Sequence, residues 1–93
     1  MSTEEQIKSI KKQIPEMEKI VSEKKFDKTP MGKLEYFISQ VISIAEITKG
    51  LKNSMQLERI KELQKSNRYP TNMYILFPIV KGILETLDNI WVH

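Results

Sequence analysis

The stretch Met73–Trp91, MYILFPIVKGILETLDNIW, places Met73, Phe77, Val80, Leu84, Leu87 and Trp91 at alternating steps of four and three. That period gathers the six onto one side of an α-helix. The second half of the stretch is helical on this pattern. The first half is a short apolar run before Pro78 and can also be read as extended, but a strand with no second strand to pair with has no independent stability. The sequence therefore predicts a helix from Thr71 kinked at Pro78.

The same spacing recurs upstream. Ile7, Ile10, Ile14, Met17 and Val21 form a stripe that Pro15 interrupts, since proline lacks a backbone donor and its ring clashes with the preceding turn. Either one helix from Thr3 to about Lys25 bends there, which is the preferred reading, or an ordered helix begins at Pro15. Phe26–Pro30 reads as a loop, with Thr29 as N-cap and Pro30 at the first position of a second helix running to Lys49. In that helix Leu34, Phe37, Ile38, Val41, Ile42, Ile44, Ala45 and Ile47 occupy more than half of the circumference, which predicts burial on several sides. Gly50 is a natural terminator, although Leu51 and Met55 continue the stripe and leave an unbroken helix over 30–65 as an alternative. A third helix, capped by Asn53 or Ser54, would bury Leu57, Ile60 and Leu63. Residues 66–70, Ser-Asn-Arg-Tyr-Pro, read as a turn.

These stripes predict an all-α fold, an antiparallel three- or four-helix bundle with a kinked N-terminal helix and crossing angles near 20°. The 93 residues fit one domain, with no internal repeat. Apolar residues at 40% and charged residues at 29% are the proportions of a folded, water-soluble chain. There is no cysteine, hence no disulfide framework or thiolate chemistry, and a cytoplasmic location is expected. The acidic start, Met1-Ser2-Thr3-Glu4-Glu5, is unlike a signal peptide. The longest apolar run, Met73–Val80, is far shorter than a bilayer-spanning segment. The net charge of +3 is uneven. Residues 29–68 carry seven Lys/Arg against four acids, whereas residues 69–93 carry one lysine against two.

Parts for catalysis are missing. The single histidine, His93, is the last residue, where nothing orients its ring. No Glu-x-x-His pair offers a di-iron site, and Gly32, Gly50 and Gly82 are too scattered for a phosphate loop. Glu58 and Glu62 lie one turn apart, but Arg59, Lys61 and Lys65 beside them make a solvated, internally paired face. Glu35 and Glu46 sit in the most apolar helix, where partial burial would raise their pKa values; snorkelling at the helix edge is the plainer account. The expectation is a chain with no enzymatic activity, cofactor or metal site.

Two surfaces remain as binding candidates. One is basic: Lys49, Lys52, Arg59, Lys61, Lys65 and Arg68 stand against Glu58 and Glu62, with Tyr69 adjacent, a pattern able to hold phosphates. A solvated helix face explains the same residues. A helix-turn-helix reading fails, because the segment after residue 70 is apolar where base-reading side chains are needed. The other surface is apolar. Both 34–47 and 73–91 exceed what one buried stripe needs, so Phe37, Tyr74, Phe77 and Trp91 are candidates for a protein interface. A bundle that buries both helices would absorb the same excess.

The expected function is that of a small non-enzymatic helical interaction module, docking on a protein partner or on itself as a homo-oligomer. A nucleic-acid-associated accessory protein using residues 49–68 is the first alternative. The second rests on likeness. In size, in its lysine-rich and cysteine-free composition and in its helix pattern, the chain resembles the cytoplasmic immunity proteins that protect bacteria from their own bacteriocins. Arg68-Tyr69-Pro70, leading into the apolar last helix, is the closest local echo. The resemblance implies a four-helix bundle that recognises a membrane receptor complex with the toxin; it carries over no functional residue.

Overall fold

Ser2 opens the first helix as the sequence chemistry requires, its Oγ accepting from the Glu5 amide at 3.1 Å. A computed structural model describes residues 2–66 and 71–92, which are 78% helical and contain no strand. Four helices form, the first divided by a 39° bend into α1 (Thr3–Lys12) and α2 (Ile14–Ser22). The bend has a simple cause. Pro15 lies in the first turn of α2, where its missing N–H is tolerated but its ring cannot pack under a straight continuation of α1. Glu4 and Glu5 start α1 and Lys11 and Lys12 end it, each charge matched to the local end of the helix dipole.

The bend also resets the phase of the apolar stripe. Ile7, Ile10 and Met17 are buried as the spacing predicts, but beyond the bend Ile20 goes deep and Val21 lies at the margin. α2 then stops short of Lys25. Lys24 takes a left-handed conformation (φ 55°), the Lys25 amide donates to the Ile20 carbonyl and the Lys24 amide to that of Val21, a Schellman closure without its usual glycine.

α3 spans Lys28–Glu46, two residues earlier at its start than expected and three shorter at its end. Its N-cap is Asp27 rather than Thr29, and Pro30 is the third helical residue. Any of the first positions spares proline a lost hydrogen bond, so the residue marks the first turn without fixing its place in it. At the other end the Thr48 hydroxyl donates to the Ile44 carbonyl at 2.7 Å, and Gly50 (φ 96°) reverses the chain four residues past the last helical one. The unbroken helix over 30–65 does not form. α4 (Met55–Lys65) restarts from Ser54, whose Oγ accepts from the Leu57 amide at 3.2 Å.

α5 runs Met73–Trp91, helical throughout the Tyr74–Phe77 run and continuous through Pro78. Residues 67–70, Met1 and His93 lie outside the described residues, and with them most of the expected turn. Asn72, buried just before α5, donates from Nδ2 to the Leu63 carbonyl at 3.2 Å, occupying one acceptor at the end of α4.

α5 packs against all the other helical segments. Met73, Leu76, Phe77, Val80, Ile83, Leu84 and Leu87 form its buried side, and the Phe77 ring meets that of Phe37 at 5.9 Å between centroids. Interhelical ion pairs sit around this core, Lys11–Asp88 at 2.8 Å, Lys61–Glu46 at 3.0 Å and Lys33–Glu16 at 3.3 Å. Their partners are substantially exposed, so each contributes little.

The end of α5 is tied more firmly. Trp91, the only tryptophan, donates from Nε1 to Thr48 Oγ1 at 2.9 Å. Thr48→Val keeps the shape and removes both hydrogen bonds, so a loss of about 1–2 kcal/mol is expected. Urea unfolding followed by the fluorescence of Trp91 measures it.

Candidate protein-interaction face

The four aromatic side chains singled out in the sequence do not share a surface. Phe37 is 0% exposed and Phe77 lies against it in the core, so neither is available to a partner. Trp91 is half-buried and bonded to Thr48. Only Tyr74 offers much area, 43% exposed with its ring edge-on to Phe26 at 5.8 Å. The reason is geometric. Steps of three and four that align Phe77 and Trp91 with the seam are the steps that turn them inward.

What the sequence reading missed lies on the opposite side of the same helix. The exposed positions of α5 are Tyr74, Ile75, Pro78, Gly82, Glu85, Thr86, Asn89 and Ile90. Of these eight, Glu85 alone carries a charge. The exposed positions of α4 are Met55, Gln56, Glu58, Arg59, Lys61, Glu62, Gln64 and Lys65, five of them charged. Lys81 and Asp88 fall on the flanks of α5, where Lys81 pairs with Glu18 of α2 at 2.5 Å and Asp88 with Lys11 of α1 at 2.8 Å. Packing draws two of the helix's three interior charges to its neighbours and leaves an outer face with Ile75 49% and Ile90 43% exposed. The signal in the sequence was the shortage of charge in residues 69–93, not the aromatic count.

Two features adjoin this face. On one side a groove of about 790 Å³ separates α2 from α5, with Pro15, Val21, Tyr74, Phe77, Pro78 and Gly82 among its walls. The Lys81 ammonium stands 6.0 Å from the Phe77 ring centroid there. On the other side Ile79 borders Met55, which is 85% exposed, beside Arg59 and Glu62. Gly82 sits mid-face, and a Cβ built on it meets nothing within 4 Å. Its own fold does not need a glycine there. Gly82→Ala is therefore expected to stabilise the dilute chain by about 0.5–1 kcal/mol, read as a higher urea midpoint at unchanged slope.

The basic residues are exposed but interleaved with acids. Lys49 and Lys52 flank Gly50 in the α3–α4 turn, and Lys65 ends α4. Arg59 lies 3.9 Å from Glu62, and Lys61 is paired with Glu46 at 3.0 Å. Arg68 and Tyr69 lie outside the described residues. Glu46 is exposed in that pair, and Glu35 is exposed as well, in keeping with the helix-edge reading rather than partial burial. Lys52→Ala combined with Arg59→Ala should alter stability by no more than about 0.5 kcal/mol per substitution, as measured by urea unfolding. Among the described residues no three His, Asp or Glu side chains gather to hold a metal ion, and no helix is long and apolar enough to cross a membrane. Compared with known proteins, the chain matches no family model, no curated sequence and no solved structure.

Proposed function

We propose that this chain is a small non-enzymatic helical interaction module that docks on a protein through the outer face of α5. The observation that carries the reading is the composition of that face, eight exposed positions with a single charge on a helix that packs against every other segment. Tyr36, Ile47 and Met55 are exposed singly elsewhere, whereas Tyr74, Ile75 and Ile90 share this one helix, and depletion of charge around exposed apolar side chains is what distinguishes the centre of an interface. A rigid helix also loses little order on docking. The cytoplasm is the proposed location, since a domain of this size without cysteine does without the staples of secreted ones.

A photo-reactive residue placed at Ile75, and at Gln64 on α4 as a control, tests the reading in cells that produce the protein. A discrete, saturable adduct from position 75 and none from position 64 is expected. No adduct at 75, or equal labelling from both, overturns it.

A further inference from the structure

We infer that the occupant of the α5 face is a second copy of the chain, docked antiparallel across a two-fold axis beside Gly82. The inference rests on the docking role of that face and names the partner.

Self-complementarity is the first argument. Ile75, Pro78, Gly82, Thr86 and Asn89 are all exposed and follow one another at steps of three, four, four and three. The spacing, though not the residues, is the same from either end, with Gly82 at its centre. Turned end for end on a copy of itself, it sets Gly82 against Gly82, Pro78 against Thr86, and Ile75 beside Asn89 and Ile90. A two-fold interface needs one patch that complements itself in this way. The open space over Gly82 lets two backbones approach where the axis passes.

Charge is the second argument, and it selects the direction. Glu85 is the one charge on the face and takes part in no ion pair among the described residues. Lys81 precedes it by one turn on the same flank. In the antiparallel arrangement Glu85 of one copy and Lys81 of the other, which also holds Glu18 of its own chain, fall about 3 Å apart along the axis, from a rise of 1.5 Å per residue. A parallel arrangement would set Glu85 against Glu85. On every other helix an exposed lysine or arginine would meet its like or need a compensating partner, whereas this face brings two copies of a basic chain together without that cost.

Size sets the strength. α5 has 19 residues and is about 28 Å long, so one helix pair with its flanks falls below the roughly 800 Å² per partner of a standard interface. The pair therefore belongs with the small, reversible interfaces.

The absence of native cysteine makes single-cysteine variants a direct test of register. The variants are Gly82→Cys, Ile75→Cys, Ile90→Cys and, on the charged face of α4, Lys61→Cys, each oxidised at roughly 100 µM. Gly82→Cys should form a disulfide-linked dimer well in excess of Lys61→Cys. A mixture of Ile75→Cys and Ile90→Cys should cross-link more than either does separately. Sedimentation equilibrium of the unmodified chain should show a reversible dimer, and Gly82→Leu should weaken it by at least roughly tenfold.

Gly82→Cys cross-linking no better than Lys61→Cys overturns the inference. So does preferential Ile75-to-Ile75 linkage, which marks a parallel pair, and so does a strict monomer at millimolar concentration. If position 75 then still labels a protein of another mass in cells, docking through α5 stands and only the second copy is lost. If position 75 labels nothing, both fall together.

Discussion

Leu84→Asp is expected to abolish the cooperative unfolding transition. Leu84 is 1% exposed on the inner side of α5, one turn from Val80 and from Leu87, on the helix that packs against all the others. An aspartate there places a carboxyl group with no partner among apolar side chains, at several kcal/mol if it stays charged or becomes protonated to avoid it. Loss of the leucine itself adds about 2–5 kcal/mol. A chain of this length has roughly 5–14 kcal/mol to lose. Far-UV circular dichroism should show a largely unfolded chain with no sigmoidal melt. Thr86→Asp, two residues away on the outer face, should melt within about 0.5 kcal/mol of the parent. A cooperative melt of Leu84→Asp near the parent midpoint would remove α5 from the centre of the fold.

The contrast between positions 84 and 86 shows which parts of the fold could be read from residues. Period is a strong signal, because a side chain's direction from a helix follows from its number. It placed Met73, Phe77, Val80, Leu84 and Leu87 inside, as it did Leu57, Ile60 and Leu63. Ser54 and Pro15 were legible for a related reason, since a cap and a proline act on groups within one turn of themselves. The end of α3 was not. Its last turn is set by the Thr48 hydroxyl and by Trp91, whose indole reaches Thr48 from 43 residues away, and no local pattern carries that contact.

The outer face of α5 was half legible. Counting apolar residues indicated that 34–47 and 73–91 held more than one stripe's worth, but hydrophobicity records that a side chain wants burial without recording against what. Phe37 and Phe77 found each other inside the chain. Ile75 and Ile90 remained outside, on a face shared with Gly82 that becomes visible only when the seam has been assigned and the opposite side of the helix is inspected for charge.

Phe37→Ala separates these two fates for an aromatic residue. A partner-facing phenylalanine, cut back to alanine, would weaken association and leave the isolated chain about as stable as before. Phe37 is fully buried, its ring 5.9 Å from that of Phe77 and tilted 38° to it. Truncation opens a cavity between α3 and α5 that the surrounding leucines and isoleucines refill only in part, at about 3–5 kcal/mol, with a further ~1 kcal/mol from the lost ring pair. Urea unfolding of dilute protein should show the midpoint falling by a third or more while the slope stays constant, because the surface exposed on unfolding is nearly the same. Ile75→Ala gives the opposite pattern. Its side chain is half in water, so the midpoint should hardly move, while the proposed dimer should weaken. A Phe37→Ala chain as stable as the parent would mean that the ring faces outward, and the division of α5 into an inner seam and an outer row would fail with it.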